Sequence, residues 1–205
     1  MSRNDFNETW LSEAPMRSNI GGTYSAIVYD IKDHIQYNAT PISIGNHLFK
    51  IVETQTIIYW YEINGEIVLG TELDIKPQGL AVSITGKNPK FTNFPPYASD
   101  LYDAILTDNH RSIRLFSDNQ LTDEGLKLWK RLIMKGHHIT LYDPKHPGQK
   151  FKTLSTPEEL DMFFSDDDSQ YYTQFVLSET SQLAETRGFF NTRRYRELAG
   201  LRLDD

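Results

Sequence analysis

The sequence predicts an α+β protein on a mixed sheet, an antiparallel meander followed by a β-α-β-α-β run. Three observations carry that expectation. Four strand-like runs follow one another between His47 and Thr85. Two of them are joined by Asn64-Gly65, a dipeptide whose residues both accept positive φ and so favour a tight hairpin. After Gly86 the apolar spacing changes, and YASDLYDAILTD and then TDEGLKLWKRLIM carry a helical period around short strand-like runs. Hairpins make antiparallel pairs, while strands separated by helices can pair in parallel.

The elements follow in order. Phe6 to Glu13 can form a short helix with Phe6, Trp10 and Leu11 on one side, ended before Pro15. After Gly21-Gly22, Tyr24 to Tyr37 places Ile27, Ile31 and Ile35 at helical spacing, with Val28 beside them. The meander strands are His47 to Val52, Thr56 to Ile63, Glu66 to Ile75 and Gly79 to Thr85. GKNPKFTNFPP is a loop, because two prolines after Phe94 stop any regular element. The next helix turns Leu101, Ala104, Ile105 and Leu106 inward.

Ile113 to Phe116 alternates as a strand should. Thr122 is placed to cap the following helix, with Leu121 and Leu126 as a hydrophobic staple and Asp123 and Glu124 at the positive end of its dipole. Gly136 ends that helix, and His138 to Tyr142 returns as a strand. Pro144 to Asp168 is an excursion holding a short helix, Pro157 to Phe164, before a last strand from Tyr171 to Leu177.

Composition narrows the function. A chain of 205 residues can bury a real core. Its net charge of −7 argues against bulk nucleic-acid binding. Without cysteine there is no disulfide, thiolate nucleophile or cysteine metal site. MSRNDFNETWLSEAP lacks the apolar core of a signal peptide, and no apolar run reaches the length of a membrane helix. The expectation is a soluble, cytoplasmic protein with no membrane segment.

The order of elements resembles the GNAT N-acetyltransferase superfamily over residues 20 to 180. The ends DFNETWLSEAP and FFNTRRYRELAGLRL are similar to acetyltransferase-like proteins of tailed bacteriophages. The resemblance implies an arm at 1–20, a GNAT-like domain at 21–185 and an arginine-rich, amphipathic helical extension at 186–205. It also implies an acetyl-CoA site where two neighbouring strands splay apart, and transfer of acetyl to a small-molecule or protein amine. If phage-encoded, the protein belongs in the host cytoplasm or the virion.

In that family the strand before the cofactor helix offers backbone groups to the pantetheine arm, which here implicates Leu80, Val82 and Ile84. The family loop runs Gln or Arg, two residues, Gly, any residue, then Gly or Ala. This chain has Gly86, Lys87 and Lys90, then FTNFPPY in place of the glycine pair. Lys87 and Lys90, with the helix start at Ala98 and Ser99, are the candidate phosphate holders, because a helix N-terminus attracts anions. The plainer reading is a surface loop with two solvated lysines.

The family's later helix carries Asn, two residues, Ala, two residues, Leu, Tyr, whose tyrosine often protonates the departing thiolate. Thr122 and Trp129 occupy the asparagine and tyrosine positions. An indole N–H has no useful acidity, so Trp129 cannot be that acid, and the alternative is packing with Leu126, Leu132 and Ile133. Glu72, with Asp74 nearby, is the candidate base, and Ser117 is the second catalytic candidate. Glu62 and Glu66 flank the hairpin turn and read as solvated.

Adjacent His137 and His138 point to opposite sides of a strand, and His110 and His146 are scattered, so no metal is expected. The run Asp166-Asp167-Asp168 reads as a solvated loop. No Gly-x-Ser-x-Gly elbow, P-loop or HExxH motif occurs. Gly188 to Asp205 gathers Arg193, Arg194, Arg196 and Arg202 with Phe189, Phe190, Tyr195 and three leucines. It either docks on its own chain or offers anchors to a protein partner. Two functions stand: a GNAT-fold acetyltransferase, or a catalytically inactive GNAT-fold binding, virion-associated or structural protein.

Overall fold

The computed structural model describes residues 20–77, 79–110, 113–117, 123–142, 150–161 and 174–177. The expected helix at Phe6 to Glu13, the cap at Thr122, the acidic run and the arginine-rich extension lie outside them. The described elements are α1 (Ile20–Gln36), β1 (Ile42–Gly45), β2 (Leu48–Val52), β3 (Thr56–Ile63), β4 (Glu66–Lys76) and β5 (Gly79–Lys87). There follow a 3-10 turn (Pro89–Phe91), α2 (Ala98–Asp108), β6 (Leu115–Phe116), α3 (Asp123–Met134), β7 (Ile139–Tyr142), β8 (Lys150–Leu154), α4 (Pro157–Asp161) and β9 (Gln174–Leu177).

The strands form one mixed sheet in the order β1-β2-β3-β4-β5-β6-β9-β7-β8. β2 to β5 form the expected antiparallel meander, and β1 adds a further antiparallel strand at its outer edge. Asn64 and Gly65 turn β3 into β4 with φ of 52° and 77°, the left-handed pair that a two-residue hairpin needs. β5 and β6 run parallel, joined through α2. β9, the last described strand in sequence, lies antiparallel between β6 and β7.

Consecutive residues of a strand point to opposite faces, and the two apolar clusters divide accordingly. Ile58 and Trp60 join Ile27 and Ile31 of α1 on one face, while Ile57 and Tyr59 join Leu101, Ile105 of α2 and Trp129, Leu132 of α3 on the other. Trp129 is 1% exposed and meets Tyr102 edge to face, ring centres 6.2 Å apart. The second face also buries a polar knot. Asp108 at the end of α2 accepts from Lys50 Nζ at 2.8 Å and Tyr59 Oη at 2.7 Å, and Asn109 donates to the same tyrosine oxygen.

Several expectations are corrected. β1 and β8 were not foreseen; both are sheet edges, where a strand buries little and its sequence loses the apolar alternation. His47 belongs to the β1–β2 turn with φ of 62°, not to a strand. α1 starts before the glycine pair, at Ile20, and Ile35 in its last turn is exposed rather than inward. Ile113 is buried but precedes β6, which is only two residues long.

Candidate functional site

β5 changes phase halfway along. Its partners on β4 run Glu72↔Ile84 and then Leu73↔Val82, so Ser83 is an extra residue without a partner across the ladder. Such bulges re-aim the side chains that follow. Leu80 and Val82 face the α2–α3 core, whereas Ile84 packs against α1. Simple alternation would have kept all three on one face. The shift also puts Gly86 against the first turns of α1, where an added Cβ would lie 2.6 Å from Tyr24 Cα.

The same strand is paired unevenly with β6. Leu80↔Leu115 and Ala81↔Phe116 are the two matched pairs, and Leu80 N–H also donates to Arg114 O at 2.9 Å. Gly79, at φ 151°, permits this approach, since a Cβ there would meet Arg114 O. Past Ala81, no described residue pairs with β5 on that side. Ser83 is exposed although β5 is the fifth of nine strands in the sheet. Ser117, directly after β6, is buried.

Beyond β5, Lys87 reaches the start of α2. Its Nζ donates to Phe94 O at 2.7 Å and Thr92 O at 3.4 Å, and lies 4.3 Å from the centre of the Tyr97 ring. Arg131 of α3 stands 5.7 Å from the same ring. Burial, and then the charge of Arg131, push the Lys87 ammonium below its ordinary pKa. Asp100 closes the first turn of α2 by accepting from Tyr97 N–H at 2.8 Å. Burial opposes its charge, but Lys135 and that N–H outweigh it and hold the carboxyl below the usual range. Ser99 is buried and Ala98 half-buried at the same end.

Lys90 does not join this group. Its Nζ pairs with Glu66 at 3.3 Å, beside Asn88, which itself bonds Glu66 and Tyr24. Glu66, read as simply solvated, is therefore a partner that pins the loop. Glu72 is half-buried on the α1 face, and burial followed by the charges of Asp30 and Asp74 raises its pKa, with His34 opposing. It and Ser117 are not neighbours in the sheet: Glu72 is on β4 and Ser117 follows β6, with β5 between.

A line of hydroxyls crosses the other face of the same strands. Thr71 Oγ1 donates to Ile84 O at 2.9 Å and lies 2.8 Å from Thr85 Oγ1, which lies 3.0 Å from Tyr102 Oη. Ser83, Tyr97, Tyr102 and Arg131 are the residues the sequence reading did not select. The available hints were Thr71 and Thr85 within runs of apolar strand residues and an arginine one helical turn from Lys127.

The arrangement sets Lys87 and Arg131 around the Tyr97 ring at the start of α2, beside a stretch of β5 that no described residue pairs, with Glu72, its pKa raised by burial, on the α1 face of the adjoining strand. Among the described residues no helix is long and apolar enough to cross a membrane, and no three histidines or carboxylates gather as metal ligands. Comparison with protein-family models, with curated proteins and with solved structures found no match.

Proposed function

We propose that this chain is a GNAT-fold, phage-type acetyltransferase-like protein that binds acetyl-CoA beside β5 and passes its acetyl group to an amine. The observation that carries the reading is the parallel β5–β6 pair, joined at two positions, beyond which no described residue pairs with β5 on that side and a bulge leaves Ser83 exposed. The place of β9 between β6 and β7 agrees with it.

The residues present fit such a ligand. Ser83 is exposed on the stretch of β5 that no described residue pairs, where an extended pantetheine arm would lie, and Lys87 with Arg131 brings positive charge to the N-terminus of α2. The one carboxylate at that end, Asp100, is already matched by Lys135 at 2.8 Å. Bound acetyl-CoA supplies an acyl group activated as a thioester. Glu72, its pKa raised, is suited to take the proton an incoming amine gives up.

Buried Trp129 favours a second reading, a protein that binds CoA without transferring acetyl. It leaves α3 without a hydroxyl acid at the position where the family keeps one. The test separates the two. A ligand at about 100 times its dissociation constant adds roughly 2.7 kcal/mol of stability, which raises Tm by several degrees in a domain of this size. A shift with CoA and acetyl-CoA, plus thiol release with a panel of amines, supports the enzyme. A shift without thiol release supports the binder, and no shift removes both.

A further inference from the structure

The hydroxyl line has a direction, and the direction follows from counting protons. A threonine or tyrosine hydroxyl has one hydrogen to donate. Thr71 gives its hydrogen to Ile84 O, so at the Thr71–Thr85 contact Thr85 is the donor. With that hydrogen committed, Tyr102 is the donor at the Tyr102–Thr85 contact. The chain runs Tyr102 to Thr85 to Thr71 and ends on the carbonyl of Ile84, the residue beside the bulge.

This chain can close only if Thr85 is on the α2 face of the sheet. Regular alternation from Val82 would place Thr85 on the α1 face, so the bulge at Ser83 and the relay require one another. Lys87, two residues on, shares the face of Thr85 and thereby meets Tyr97 at the start of α2. Thr71 is fully buried, so losing the Thr85 hydroxyl deprives it of a partner where water does not reach.

We propose that Tyr102, Thr85 and Thr71 are positioning residues: their relay sets the phase of the far half of β5 and so aims Lys87 at the anion end of the opening. The ligand half of this inference rests on the proposed function; the backbone half does not.

The experiment compares Tyr102→Phe, Thr85→Val and the conservative Thr85→Ser with the full chain, by amide hydrogen exchange without ligand and by calorimetric titration with CoA. The relay predicts faster exchange confined to Ile84–Lys87 in Tyr102→Phe and Thr85→Val, with Ile57–Tyr61 of β3 unchanged. Thr85→Ser restores the slow pattern. CoA binding weakens about tenfold or more in the first two variants and recovers in the third. Unchanged exchange at Ile84–Lys87, or a uniform rise across the sheet, overturns the relay whatever the titration gives. Localised exchange with undiminished CoA affinity overturns the aiming of Lys87. If the unaltered chain binds no CoA, the proposed function fails on its own, and the exchange data still decide the relay.

Discussion

Gly70 and Gly86 are register partners across β4 and β5, and α1 lies over both. A Cβ at Gly70 would meet the side chain of Ile27 at 3.0 Å, a contact that a shift of a few tenths of an ångström relieves. At Gly86 it would meet backbone atoms of Thr23 and Tyr24 at 2.6–2.7 Å, which cannot give way without moving the helix. Gly86→Ala is expected to cost about 1–3 kcal/mol in urea unfolding, the range for overpacking, and Gly70→Ala less. Equal, negligible costs would mean that α1 does not rest on this pair.

Trp129 is expected to behave as core. Its removal by alanine should cost about 3–5 kcal/mol, through lost burial and the cavity left under Tyr102. Trp129→Tyr keeps most of the ring and should cost less. A stable Trp129→Ala protein would contradict the packing described for α3.

Glu72 predicts a pH-dependent stability. Its pKa in the fold is raised above the ordinary 4.5, so the folded state resists its ionisation. Below 4.5 both states hold the proton and the residue is neutral to folding. As pH rises through the folded value, the unfolded chain gains by ionising first, and stability falls. Glu72→Gln should therefore raise Tm at neutral pH, with the gain vanishing below pH 4.5. If Glu72 serves as base, the same variant loses turnover while keeping CoA affinity. A neutral-pH Tm at or below that of the unaltered chain would show that burial is not acting on this carboxyl.

Ser83 gives the cleanest test of the opening. Because it is exposed, a tryptophan there should change stability by no more than about 0.5 kcal/mol. It should nevertheless block an extended ligand lying along β5. CoA titration of Ser83→Trp is expected to show affinity lost with Tm kept, and full affinity would move any ligand elsewhere.

The meander and the helices were legible because their signals are local: Asn64-Gly65 for the hairpin, and apolar periodicity for α2 and α3. The edge strands were not, since ISIG and KFKTL bury too little to show a pattern. The bulge was hidden for a different reason. Leu80, Val82 and Ile84 are all apolar, so nothing in the alternation reveals that the third has changed face. Lys90 was assigned to phosphate because it lies in the loop that holds the pyrophosphate in the resembled family; its partner, Glu66, becomes visible only when the loop's path around Asn88 is known. Arg131 was missed because α3 reaches Tyr97 through space, from another element.

The position of β9 also sets an order in time. A ribosome delivers the chain from its N-terminus, and β1 to β5 pair with immediate neighbours in sequence, so that half can fold while synthesis continues. β6 and β7 are made long before the strand that joins them. Among the described strands, β6 pairs only with β5, at two residue positions, until Gln174–Leu177 emerges. A nascent chain or a fragment ending before Gln174 therefore carries two sheet halves without the strand that lies between them. Such intermediates expose the edges of β6 and β7 that β9 later covers, and uncovered edges invite wrong association.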